Sequence, residues 1–220
     1  MPHSCDLIIF DCDGVLVDSE VLAVKAMCEV LNEAGVPATE AMVGQCFGMK
    51  QADILLRLAE DTQTNIPDGV AERLWPATRR WFERELQPMP GVAAFLAAHG
   101  AGKRCVASSS NPDRIKVSLE LTGLAGYFGA HVFSSHQVAR GKPAPDLFLF
   151  AAANLDVRPE RCIVIEDSIY GVQGAKAAGM TAFGFDGGSH IQPGHAAILL
   201  EAGATSVERS WDALARRILD

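Results

Sequence analysis

The chain has 220 residues, 49% of them hydrophobic, with 19 basic and 27 acidic side chains and a net charge of −8. That is enough apolar material to bury a full core, as one domain with an insertion or as two small domains. The acidic balance, without any Lys/Arg cluster, argues against a nucleic-acid partner, and no apolar run is long enough to cross a bilayer, so no membrane partner is expected.

In chain order, Asp6 to Asp11 reads as a buried strand, with Leu7-Ile8-Ile9-Phe10 running straight into Asp11-Cys12-Asp13-Gly14. Ser19 to Ala34 reads as a helix, because Leu22, Val24, Met27, Leu31 and Ala34 recur near helical spacing and Gly35 supplies a stop. Between Thr39 and Leu86 only helical pieces are expected, around 40–46, 51–60 and 69–86, broken by Gly48 and Pro67. Pro88 and Pro90-Gly91 then mark a boundary.

Beyond it the pattern becomes an alternation of helices and strands. A helix over 92–99 precedes a strand over 104–109, and Asn111-Pro112 opens a helix that Gly123 closes. Strands follow over 131–135 and 162–167, with a helix near 146–154 between them, then a helix over 168–178 ended by Gly179 and a strand over 181–186. This alternation predicts an α/β fold: a Rossmann-like, doubly wound parallel sheet with an inserted α-helical cap. The expected boundaries are residues 1–16 and 88–220 for the core and 17–87 for the cap. An insertion after the first strand is expected to lie over the carboxyl edge of the sheet.

The six cysteines show no CxxC spacing, and Cys12, Cys28, Cys105 and Cys162 sit in apolar or strand-like segments. They read as free buried thiols in a reducing compartment. The N-terminus has no basic region followed by a long apolar stretch, so a cytoplasmic protein without a secretory leader is expected.

Four groups fall just past four of the expected strands: Asp11/Asp13, Ser108/Ser109, Lys142 and Glu166/Asp167. In a parallel sheet such positions open on one edge, where ligands bind. Clustered carboxylates repel one another unless a cation is present, and oxygen-only donors suit a hard ion, Mg2+ above all. Lys142 and the Ser108 hydroxyl would hold phosphate oxygens, and the amides at Ser109 and Ser110, near a helix N-terminus, would add anion affinity.

The motifs DCDGVLVDSE (11–20), ASSSN (107–111), GKPAPD (141–146), IEDS (165–168) and GVQGAKAAGM (171–180) carry a family resemblance over essentially the whole chain. The chain resembles the haloacid dehalogenase superfamily, in the branch of β-phosphoglucomutase-like phosphatases whose cap follows the first strand. The resemblance implies that Asp11 attacks phosphorus to form an aspartyl-phosphate, and that Asp13 acts as acid and then base. It also implies Mg2+ held by Asp11, the carbonyl of Asp13, Asp167 and Glu166.

Related enzymes perform different chemistry, so the reaction has to be read from residues. Asp13 favours phosphoryl transfer over dehalogenation, which needs no leaving-group proton. The phosphonate-hydrolase pattern, with a cap lysine for a Schiff base, is missed by one residue at Lys50. Ala23 stands where the mutases carry a histidine, and Lys50 or Gln51 where they carry an arginine. A phosphatase acting on a small sugar phosphate or phosphorylated sugar acid is therefore expected, ahead of a β-phosphoglucomutase-type enzyme and of a non-catalytic phosphate-binding protein. Substrate contacts are expected from Ser108, Ser109, Asn111, Lys142 and, in the cap, Lys50, with Arg79 and Arg80 as further cap cations. A small phosphorylated molecule is the expected partner of a monomer or weak homodimer.

The remaining residues get plainer readings. Asp18 and Ser19 read as caps of the first cap helix, Gly171 and Gly174 as close-packing positions, and Cys12 as packing. His190 and His195, on either side of Ile-Gln-Pro-Gly, read as surface or packing residues in a loop.

Overall fold

The computed structural model describes residues 5–46, 51–98 and 102–219, and Lys50 lies outside them. The chain forms two compact units, one spanning Ser19–Leu86 and the other made of the segments before and after it.

The helical unit contains α1 (Glu20–Glu33), α2 (Glu40–Gly44), α3 (Gln51–Thr62) and α4 (Val70–Glu85). Val24, Val30 and Leu31 of α1 join Val43, Leu58, Leu74 and Ala77 in one buried apolar cluster. Arg80 and Trp81 of α4 both donate to the Glu29 carboxylate, each at 2.8 Å. Arg79 pairs with Glu83 one turn along its own helix at 2.9 Å. Ser19 occupies the N-cap position of α1 but makes no side-chain cap hydrogen bond. The cap assigned to Asp18 is also absent: its carboxylate accepts from the amide and hydroxyl of Ser189 at 3.1 and 2.8 Å, far along the chain.

The α/β unit opens with β1 (Leu7–Phe10) and resumes with α5 (Val92–Ala98), β2 (Lys103–Ser108), α6 (Pro112–Leu121), α7 (Ala125–Phe128) and β3 (Val132–Ser134). After these come α8 (Asp146–Asn154), β4 (Cys162–Glu166), α9 (Ile169–Ala177), β5 (Thr181–Phe185), α10 (His195–Glu201), β6 (Ser206–Glu208) and α11 (Trp211–Leu219). All six strands are parallel, in the order β3-β2-β1-β4-β5-β6. The single-turn α7, and the elements past β5, add to what the sequence suggests. In α11, Trp211, Leu214 and Ile218 carry the helical spacing of a buried stripe.

Strand alternation divides the core between the two faces of the sheet. Leu7 and Ile9 of β1, Cys105 and Ala107 of β2, and Cys162 and Val164 of β4 join Leu147, Phe148, Val172 and Ala175 from α8 and α9. Phe10 points the other way, into a ring cluster with Phe95, Phe128 and Trp211 at centroid distances of 6.2, 5.7 and 5.9 Å. Both faces of β1 are therefore buried, as its uninterrupted apolar run requires.

The direction of strand succession reverses at β1, between β1 and β4, and in doubly wound sheets the crevice outside the carboxyl ends of such a pair is the ligand site. Asp11 leaves β1 and Asp167 leaves β4 at that point. All six cysteines are free thiols, and no described helix is long and apolar enough to cross a membrane.

Trp211 touches Phe10, Phe95 and Phe185 and is almost wholly buried, so truncation would empty the centre of one layer. Trp211→Ala is expected to cost about 3–5 kcal/mol, read from urea unfolding followed by circular dichroism.

Candidate active site at the carboxyl edge of the sheet

The loop leaving β1 is built by its own backbone. Leu16 and Val17 donate to the Cys12 carbonyl at 2.9 and 3.1 Å, and Gly14 donates to Val17 at 2.9 Å. Val15, Leu16 and Val17 are buried beneath the turn. Gly14 sits at φ +75°, and a Cβ there would lie 1.8 Å from Oδ2 of Asp167. Glycine is needed on both counts, since a side chain would be strained and would displace a site carboxylate. Cys12 is buried between the two acids, and burial pushes its thiol well above the ordinary range, which suits packing and not nucleophilic work.

Lys142 reaches this loop from the turn before α8. Its ammonium donates to Asp11 Oδ1 at 2.6 Å and to Glu166 Oε1 at 2.5 Å, with the Phe148 ring 5.3 Å away. Burial pulls its pKa down, but the two carboxylates outweigh burial and hold it above the usual lysine range. The other oxygen of Glu166 accepts from the amide and hydroxyl of Ser168, at 3.0 and 2.9 Å. Glu166 shares the strand face of Val164, toward α9, and a Cβ on Gly171 would come within 1.9 Å of its carboxylate. Gly171 is therefore a close-approach position, as the sequence suggests, and the atoms it clears room for belong to the site.

Carboxylate oxygens of Asp11, Glu166 and Asp167 lie within 4.8 Å of one another, all buried. Burial is the first cause that raises the carboxyls of both Asp11 and Asp167, and neighbouring acids add to it, against Lys142 and, at Asp167, His190. An all-oxygen set short of positive charge fits a hard divalent cation.

Asp13 is fixed from the β2 side. Its two carboxylate oxygens are held separately: Ser110 Oγ donates to Oδ2 at 2.7 Å, and Arg114 Nη2 and Nε approach Oδ1 at 2.7 and 3.2 Å. Ser108, at the end of β2, is buried, and its hydroxyl accepts from the Ser110 amide at 3.1 Å. That amide is thus occupied, which removes one of the two anion donors expected from this loop. The serines divide the work: Ser108 at the strand end, Ser110 on Asp13, and Ser109 exposed, with its carbonyl accepting from Ser135 at 3.0 Å. Asn111 uses its side-chain oxygen to cap α6, accepting from the Arg114 amide at 2.8 Å.

Three participants were not recognisable as such in the sequence. Arg114 carried one hint, since a cation in the first turn opposes the helix dipole and needs a compensating acid. The other two are histidines read as surface or packing residues. The structure corrects this: His190 Nε2 lies 3.3 Å from Asp167 Oδ2, and His195 Nε2 lies 2.6 Å from the Asp167 carbonyl. The turn over 188–194 brings both back to the edge of β4, a contact invisible in local spacing.

Lys142→Met would leave Asp11 and Glu166 facing each other without a counter-charge. Removing one partner of such a buried pair is expected to cost about 3–5 kcal/mol near neutral pH. Without the lysine the folded-state pKa of Asp11 rises further above its unfolded value, so stability is retained in acid and lost as pH rises. Urea midpoints should therefore show a smaller deficit at acid than at neutral pH.

Comparison with known proteins places this geometry in a family. The chain is 32% identical over 190 residues to 6-phosphogluconate phosphatase of Escherichia coli, covering 86% of each chain. It is 34% identical over 176 residues to fructose-1-phosphate phosphatase of the same organism, covering 80% of this chain and 93% of that one. The crystal structure of a haloacid dehalogenase-like protein of unknown function from Agrobacterium tumefaciens superposes with a TM-score of 0.85 at 37% identity, over 98% of this chain and 100% of that one. A family model for haloacid dehalogenase-like hydrolases matches residues 5–179, which include the site residues from Asp11 to Asp167. With the family model covering most of its length, the chain belongs to the haloacid dehalogenase-like hydrolases.

Proposed function

We propose that the chain is a Mg2+-dependent phosphatase that hydrolyses a small sugar phosphate or phosphorylated sugar acid through an aspartyl-phosphate on Asp11. The observation that carries this reading is the pairing of two acids in different settings on one loop. Asp11 is buried against Lys142 at 2.6 Å within the oxygen cluster, while Asp13 is oriented by Ser110 and Arg114. One acid is placed to attack and the other to move a proton. The phosphatase relatives support the substrate class.

In this reading an Asp11 carboxylate oxygen attacks phosphorus as the ester P–O bond breaks, and Asp13 gives its proton to the departing alkoxide. Asp13 then takes a proton from water, whose oxygen attacks the phosphorus of the acyl-phosphate and frees Asp11 and inorganic phosphate. Lys142 and the Ser108 hydroxyl hold the phosphoryl oxygens, and the lysine lowers the repulsion between a phosphate dianion and Asp11. Asp11, Asp167 and the carbonyl of Asp13 would hold Mg2+. Glu166 belongs to the same acidic cluster and, with both oxygens engaged by Lys142 and Ser168, also holds the lysine in place. Bound there, the ion would supply charge neutralisation for the phosphoryl oxygens. The helical unit, including Lys50, is assigned to substrate selection.

The mutase reading remains the second choice, because Ala23 in α1 offers no group that could hydrogen-bond an acid/base aspartate.

The test is phosphate release from a panel of sugar phosphates and phosphorylated sugar acids, with and without Mg2+. Chelation should abolish turnover and Mg2+ restore it, and Asp11→Asn should lower kcat by about 10^3-fold or more. Release that survives chelation would count against the metal, and release that survives Asp11→Asn would count against the aspartyl-phosphate. Interconversion of hexose 1- and 6-phosphates without release would favour the mutase. Mg2+ should also raise the melting temperature of the metal-free protein. That gain should grow as pH rises, because the raised carboxyls of Asp11 and Asp167 must ionise to bind a cation.

A further inference from the structure

Asp167 is gripped at two places by residues from the far side of β5. His195 Nε2 is 2.6 Å from its main-chain carbonyl, and because a carbonyl only accepts, the ring must donate through Nε2. His190 Nε2 is 3.3 Å from Oδ2 of the same residue, with both side chains buried. One contact holds the backbone and the other holds one oxygen of the carboxylate.

The surroundings are shaped for this arrangement. A Cβ on Gly14 would stand 1.8 Å from Asp167 Oδ2 and 3.0 Å from His190 Cε1, and one on Gly188 would stand 2.7 Å from His190 Cε1 and Nδ1. Two glycines thus clear a slot in which ring and carboxylate meet. The turn carrying His190 is tied back to the β1 loop, since the amide and hydroxyl of Ser189 donate to Asp18 at 3.1 and 2.8 Å. His190 stands outside the carboxylate set whose oxygens lie within 4.8 Å of one another. It touches a member of that set without being one.

We propose that His190 and His195 are positioning residues that hold Asp167 in its cation-binding orientation, a role that rests on the metal-dependent reading above. A packing role would need ring volume only, whereas here ring nitrogens from both residues converge on one acid. Outer partners that orient a metal-binding carboxylate typically change metal affinity by about 10–100-fold when removed.

The test is calorimetric titration of Mg2+ into the metal-free protein, with circular dichroism reporting the fold of each variant. His190→Ala and His195→Ala are each expected to weaken Mg2+ binding by about 10-fold or more, while kcat at saturating Mg2+ stays within a few-fold. His190→Gln and His195→Gln, which keep an N–H donor near the Nε2 position, should recover most of the affinity. Should either alanine variant fail to fold, Ser189→Ala, which removes the hydroxyl tie of the His190 turn to Asp18 and leaves the amide tie, should weaken Mg2+ in the same direction by a smaller factor. Unchanged Mg2+ affinity in the folded variants would overturn the proposal. Equal weakening by alanine and glutamine would also overturn it, since ring volume would then be what matters. Absence of Mg2+ uptake by the wild-type protein is a different failure, which removes the metal reading itself.

Discussion

The buried ammonium of Lys142 is the interaction around which the rest of the site is arranged. It lies between Asp11 and Glu166, at 2.6 and 2.5 Å, in a place where none of the three side chains has appreciable access to water. Two carboxylates so close together repel strongly in such surroundings, and the ammonium between them offsets that repulsion. The lysine comes from the loop before α8 and the acids from β1 and β4, so its charge joins three segments across the sheet. One ammonium does not offset all the acids present: burial still raises Asp11 and Asp167. The remaining deficit of positive charge is what a divalent ion would offset in the proposed reading.

Close approach of this kind demands missing side chains. Gly14, Gly171 and Gly188 stand where a Cβ would strike Asp167, Glu166 and His190 respectively. The acids are held by donors on several sides: Ser168 on Glu166, Ser110 and Arg114 on Asp13, and the two histidines on Asp167. Each carboxylate thus has a defined orientation in the protein itself. Preorganisation of that sort is what a reaction with charge developing on phosphoryl oxygens requires. It also explains how Asp11, Asp13, Glu166 and Asp167 can be polar yet buried, since each has a partner that offsets part of its lost hydration.

Strand order supplies the common ground for these contacts. The reversal between β1 and β4 opens a crevice into which the exit loops of β1, β2, β3, β4 and β5 all project. The chain returns to this edge five times: acids come from the ends of β1 and β4, serines and Arg114 follow β2, Lys142 follows β3, and the histidines follow β5. The Ser19–Leu86 unit has its own apolar cluster, contributed by α1 to α4.

Much of this was legible in the linear sequence because it is local chemistry. Apolar runs too short for core helices and too continuous for exposed strands set β1, β4 and β5, while Asn111-Pro112 and Ser168 mark helix starts that the structure retains. The acids, Ser108 and Lys142 announced themselves as polar residues at strand ends. What the sequence could not decide was which partners those residues meet. Asp18 looks like a helix cap by position, but its carboxylate binds Ser189; His190 and His195 look like loop residues, but they close on Asp167. The physical reason is range. Periodicity, caps and turns are set by residues within a few positions, so they survive in the order of amino acids. Hydrogen bonds between residues 18 and 189, 13 and 114, or 167 and 190 depend on how the strands are ordered and how tightly glycines let the loops approach, and only the folded chain determines that.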